Sequence, residues 1–359
     1  MGTVHTEQRV KNLMRLVAQQ GASDLHLVVG RYPTLRIDGR LFPVSQNNIL
    51  TPADTQAMGD VIIGNNEENK KKFLADGQVD LSYNFEDKAR FRVNIFFQQG
   101  YVSIAMRLIP REIRRLEDLN MPEVLYDFTR FTQGLVLVVG PMGHGKSTTL
   151  AALINEINHT QEKHIVTIED PIEYIYEQDK CIINQREVYQ DSKTFQSALK
   201  SVFREDANVV LVGELRDLES ISIAMTGAET GHLIFATLHT NDSAQTIDRI
   251  IDVFPANQQN QVRAQLANSL LGVISQRLVP RVDGGRVPAV EIMIKNHAIE
   301  NLIREGKAYQ IDNSIETSSD QGMVTMDKSL AELTRRGLIS IDTALSFAKE
   351  KNNFQTLLR

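Results

Sequence analysis

The stretch GPMGHGKSTT, residues 140–149, follows directly on the apolar run LVLVV at residues 135–139. Gly140, Gly145, Lys146 and Ser147 satisfy the spacing G-x-x-x-x-G-K-[ST]. In that pattern the glycines let backbone N–H groups close around phosphates at a helix N-terminus, the lysine meets the β and γ oxygens, and the hydroxyl ligates Mg²⁺. The strand before it and the helical run TTLAALINEI after it are the required context. Gly140, Pro141, Met142, Gly143, His144, Gly145, Lys146, Ser147 and Thr148 are therefore the expected nucleotide contacts, with ATP or ADP and Mg²⁺ as cofactors. The alternative is a glycine turn carrying a surface lysine, which needs neither flank.

The neighbouring sequence supports the same architecture. Short apolar strands at 135–139, 164–169, 208–213 and 232–237 alternate with helical segments near 146–158, 192–204 and 217–228. Near-continuous apolar strands of this kind belong in a parallel sheet covered on both faces. Ligands of such sheets sit beyond the carboxyl ends of the strands. HIVTIE runs there into Glu169, Asp170 and Glu173; NVVLVG into Glu214, Arg216 and Asp217; HLIFATLH into His239. Carboxylates at that edge can hold Mg²⁺ or accept a proton from an attacking water, and His239 can position a γ-phosphate. Taken singly, each acidic strand end is also consistent with a solvated terminus or a helix cap. The chain from VRAQLANSLLGVISQRL onward reads as mostly helical, with a polar loop at Asp312 to Asp320.

The first hundred residues have a different rhythm. Val10, Leu13, Met14 and Val17 fall at helical spacing before Gly21, and Asp38-Gly39 sits between strand-like arms as in a tight hairpin. Thr51-Pro52 reads as a cap with proline at the first helical position. Val79 to Phe85, Phe91 to Phe97 and Val102 to Leu108 alternate as strands around the polar EDKA turn. Their phase puts Arg90, Arg92 and Arg107 on one face away from the core. A phosphoryl-transfer transition state needs positive charge beyond one lysine. Arg92 and Arg107 are candidates to supply it across a domain or subunit interface; a solvated basic strand face is the other reading.

Composition excludes some classes. The formal charge of −6, from 39 Lys and Arg against 45 Asp and Glu, and the absence of Trp argue against a nucleic-acid partner. Cys181 is the only cysteine, so neither an intrachain disulfide nor a cysteine-cluster zinc site is available. No apolar run approaches the roughly 20 residues needed for a transmembrane segment. A cytoplasmic location is expected.

The stretches ASDLHL, GPMGHGKST, TIEDPIEY, INQREV, LVGELRDLES, AETGHLIFATLHTND and ISQRLVP resemble the type IV pilus and type II secretion ATPase family, most closely its pilus retraction motors. The resemblance runs over nearly the whole chain. It implies an α/β protein with a PAS-like N-terminal α+β domain over 1–109, a linker over 110–120, and a RecA-like ATPase domain with helical C-terminal part over 121–359. It also implies a homohexamer that docks on an inner-membrane pilus platform protein, peripheral at the inner face of the cytoplasmic membrane. Residue by residue, it carries a catalytic glutamate onto Glu173, a Walker B glutamate and metal-water ligand onto Glu214, a histidine-box residue onto His239 and interdomain arginines onto Arg92 and Arg107.

The expected function is ATP-driven pilus retraction and twitching motility. The alternatives are a nucleotide-switched accessory module, or an extension or secretion ATPase, whose common four-cysteine zinc element one cysteine cannot build. Three positions depart from the pattern. Met142 stands where many relatives carry a small residue or threonine, His144 where many carry serine or threonine, and Glu300 where retraction motors usually carry arginine.

Overall fold

The computed structural model describes residues 2–37, 39–45, 48–85, 89–109 and 112–358. Asp38 of the expected hairpin turn, turn residues 86–88 and connector residues 110–111 lie outside the described residues. The chain divides into two compact units, Met1–Glu112 with Glu173–Ile175, and Ile113–Ile172 with Tyr176–Arg359.

The first unit opens with helix α1 (Gly2–Gln19), which buries Val10, Leu13, Met14 and Val17. Strands β1 (Asp24–Leu27), β2 (Thr34–Ile37) and β3 (Arg40–Pro43) follow, then helices α2 (Pro52–Ile63) and α3 (Glu67–Asp76). Thr51 and Asp54 cap α2 reciprocally, with Asp54 N donating to Thr51 Oγ1 at 3.2 Å and Thr51 N to Asp54 Oδ2 at 2.8 Å. Strands β4 (Gln78–Phe85), β5 (Ala89–Gln98) and β6 (Tyr101–Ile109) complete an antiparallel sheet of order β3-β2-β1-β6-β5-β4. Alternate residues of β5 (Phe91, Val93, Ile95) enter the core, which puts Arg92 on the other face.

In the second unit, β7 (Gly134–Val139) leads into α4 (Lys146–Thr160), then β8 (His164–Glu169) and β9 (Ile182–Glu187). There follow α5 (Phe195–Val202), β10 (Val209–Val212), α6 (Leu218–Glu229), β11 (Leu233–Leu238), α7 (Ser243–Asp252) and α8 (Gln259–Ser269). Strands β12 (Leu270–Pro280) and β13 (Arg286–Ile294) close a seven-stranded sheet of order β13-β12-β7-β11-β10-β8-β9. All neighbours are parallel except β12 and β13. Val139 pairs with Leu238, and Val212 with Ile168, so β7, β11, β10 and β8 finish on one edge. Helices α9 (His297–Arg304), α10 (Ile311–Thr317), α11 (Met326–Arg335), α12 (Ile341–Phe347) and α13 (Lys351–Leu357) end the chain. The last three close a small apolar cluster around Leu330 and Phe354 against Val279 and Val287.

Two expectations for the C-terminal part are corrected. LLGVISQRLVP is strand, not helix, and RVPAVEIMI pairs with it. A short apolar run cannot be assigned by periodicity alone; the choice is made by β7, whose open edge would otherwise leave a row of backbone groups unpaired. Residues 311–317 form a helix rather than a loop, because Ile311 and Ile315, four apart, are buried while their polar neighbours face out.

Candidate functional site

The phosphate loop begins where β7 stops. Gly140, Gly143 and Gly145 take φ of 142°, 77° and 83°, and Gly145 is the residue at which α4 starts. These left-handed conformations favour glycine, and they turn the loop into the first turn of α4, whose N–H groups have no helical partner of their own. Lys146 is 8% exposed, its ammonium folded back onto the carbonyls of Gly140 (2.8 Å) and Pro141 (3.0 Å). Ser147 and Thr148 lie beside it in the first turn. Met142 in the loop is 86% exposed.

Two further strand ends converge on the lysine. His239, just past β11, places Nδ1 3.3 Å from Lys146 Nζ, and its Nε2 lies 3.3 Å from Glu214 Oε2. An ammonium can only donate, so Nδ1 accepts and the ring hydrogen faces Glu214. Glu214 also pairs with Arg216, whose pKa is raised first by that hydrogen bond. The turn carrying Glu214 is pinned to β11 through Thr237 Oγ1 to Gly213 O (2.5 Å) and Leu215 N to Thr237 O (2.9 Å). Lys146, His239 and Glu214 thus form a continuous chain of contacts, although 93 residues separate the first two.

Two of the other acidic strand ends, Glu169 and Asp217, have structural partners. Glu169 is buried and accepts from Thr167 Oγ1 at 2.7 Å. Asp217 caps α6 by accepting from Ser220 N at 2.9 Å. The Asp170–Pro171 peptide is cis. Glu173 groups with the first unit. In the first unit, Arg92 and Arg107 are directly opposed across β5 and β6, and Arg107 Nε donates to Asp24 Oδ1 on β1 at 2.8 Å. Cys181 is buried, and burial raises its pKa.

His144 is half-buried, with its ring turned back onto β12. Its Nδ1 accepts from Leu278 N on β12 at 2.9 Å. Burial, then Arg277, Arg286 and Lys146, lower its pKa from 6.5. Neither this tie nor Gln276, which contacts the loop from the same strand, was visible as site chemistry in ISQRLVP. The available signal was the polar triplet Ser275-Gln276-Arg277 between two apolar stretches. Glu300 on α9 bonds Arg304 at 2.5 Å, so its charge is matched within one helix turn.

The model of the family described as "Type II/IV secretion system protein" matches residues 1–286. The chain belongs to this family. Within it, the chain is 46% identical to the type IV pilus retraction ATPase PilT of Pseudomonas aeruginosa, over 96% of this chain and 99% of that protein. It is 45% identical to a twitching motility protein of Neisseria gonorrhoeae, over 87% and 83% of the two chains. A solved structure of the pilus retraction motor PilT with bound ADP superposes with a TM-score of 0.90 at 44% identity, covering 96% of this chain and 98% of that one. Among the described residues no helix is long and apolar enough to cross a membrane.

Proposed function

We propose that this chain is an Mg²⁺-dependent ATPase that powers pilus retraction as a homohexamer at the cytoplasmic face of a pilus platform protein. The observation that carries the proposal is the contact chain from Lys146 through His239 to Glu214 at the edge where the parallel strands end. The relatives bearing the names of retraction and twitching proteins cover nearly all of the chain, which supports the motor reading over a nucleotide switch. In this reading the second unit is the RecA-like ATPase domain and the first is PAS-like.

The chemistry follows from the side chains. Lys146 exchanges its bonds to Gly140 and Pro141 for β and γ oxygens, and the first-turn N–H groups of α4 add fixed positive ends beside it. Ser147 and Glu214, a hydroxyl and a carboxylate, are the donor types a hard divalent cation takes, and would hold Mg²⁺, which would neutralise phosphate charge there. His239, with its hydrogen toward Glu214, is placed to report a change at Lys146 to that carboxylate. Glu173 is assigned as general base, and Arg92 and Arg107 as charge neutralisers.

A steady-state ATPase assay tests the reading. Wild type turns over ATP only with Mg²⁺, and Glu214→Ala falls by on the order of a hundredfold; equal, negligible turnover in both removes it. Deletion in the host separates motor directions, because excess immobile pili support retraction and bald cells indicate extension.

A further inference from the structure

Strand β12 contacts the two loops that meet at Lys146, one with each of its faces. On one face, Ser275 Oγ donates to the carbonyl of Asn241 at 2.6 Å and Arg277 Nη2 to its side-chain oxygen at 2.9 Å, two residues past His239. On the other, Gln276 and Leu278 reach the phosphate loop. The approach is close: a Cβ on Gly140 would lie 2.3 Å from Gln276 O, and one on Gly145 2.9 Å from Gln276 Nε2. At Gly140 a side chain would meet backbone on the outside of the loop, and at Gly145 it would displace the Gln276 carboxamide.

The Gln276 carboxamide, on a residue only 3% exposed, bridges the loop. Its Nε2 donates to the His144 carbonyl at 2.9 Å, and its Oε1 accepts from Thr149 Oγ1, in the first turn of α4, at 2.7 Å. A carbonyl can only accept, so the amide group faces His144 and the orientation is fixed without ambiguity. Backbone N–H groups can converge on a phosphate only if the carbonyls between them point outward, and an outward carbonyl at a buried position must find a donor. Gln276 is that donor for His144, and Thr149 holds the same carboxamide from the helix.

We infer that Gln276 is a positioning residue for nucleotide phosphates, holding the loop open from outside through the His144 carbonyl and the Thr149 hydroxyl. The inference rests on the proposed nucleotide site and names a residue outside the phosphate-loop motif on which that site's affinity depends. Preorganisation of this kind is expressed in binding, since a loop that must be reordered by the ligand binds it more weakly by the fraction of time it is misplaced.

The test uses full-length protein, fluorescently labelled ADP for Kd and Mg-ATP for KM and kcat. Gln276→Met keeps the volume and removes both bonds. It is expected to fold, to raise Kd and KM by tenfold or more, and to leave kcat at saturation within about threefold. Thr149→Val, which cuts the same bridge from α4, moves Kd in the same direction, and the double variant loses less than the product of the two factors. A folded Gln276→Met with Kd and KM within twofold of wild type overturns the inference, as does a loss confined to kcat. If Gln276→Met does not fold, Thr149→Val decides, and wild-type affinity there overturns it equally. Wild type that binds ADP without turning over ATP sinks the motor proposal alone, whereas wild type that binds no ADP sinks both.

Discussion

Lys146 is the residue on which the proposed nucleotide site turns, and its replacement separates binding from folding. The side chain is satisfied by two carbonyls of its own loop, so Lys146→Ala leaves those oxygens to be resolvated but removes no core packing. ATP turnover is expected to fall by on the order of a hundredfold or more while thermal unfolding stays cooperative; a Mg-ATPase assay and a circular-dichroism melt read the two. His144 gives a pH signature. Its pKa is held below 6.5, first by burial and then by three cations, and Leu278 N–H requires the neutral ring. The unfolded chain therefore takes the proton more readily. The stabilisation is complete above about pH 6.5 and is lost as pH falls from there through the lowered folded value. Melts at about pH 7.5 and pH 5.5 should show a smaller acid shift in His144→Ala than in wild type.

At the scale of elements, β12 is the member whose role the sequence conceals. The strand-and-loop part of the site was legible, because Gly140, Lys146, Glu214 and His239 each follow an apolar run of strand length, and parallel sheets present such ends on one edge. LLGVI carries no such signal. Its conformation is decided by an open edge on β7, over a hundred residues earlier in the chain, and its functional contacts alternate with the pleat of a strand that periodicity could not establish. Asp217 was ambiguous for a different reason, since an acidic residue after a strand serves a helix N-terminus as readily as a metal. The closeness of β12 is testable without touching the loop. A Cβ on Gly272 would lie 2.5 Å from the Phe128 ring and 2.7 Å from Met293 O. Gly272→Ala is expected to cost about 1–3 kcal/mol, seen as a lower urea midpoint at unchanged slope.

For the whole molecule, the proposed ring and the proposed chemistry make separable claims. Light scattering on the purified protein with nucleotide should give six chains, and a stable monomer that turns over ATP at full rate would separate hydrolysis from assembly. The paired arginines add a second claim. Like charges placed directly opposite on neighbouring strands repel, and the Asp24 carboxylate beside Arg107 offsets part of that cost. Arg107→Ala and Arg92→Ala are each expected to lower kcat about tenfold or more, with ADP affinity unchanged and the double variant little worse than either alone. Because β5 and β6 pair Arg92 directly opposite Arg107, the two side chains leave the sheet from neighbouring points, and the Asp24 carboxylate tethers the Arg107 guanidinium there. A one-residue slip of either strand would turn its arginine toward the core, so the pairing of the two charges reads out the register of this sheet directly.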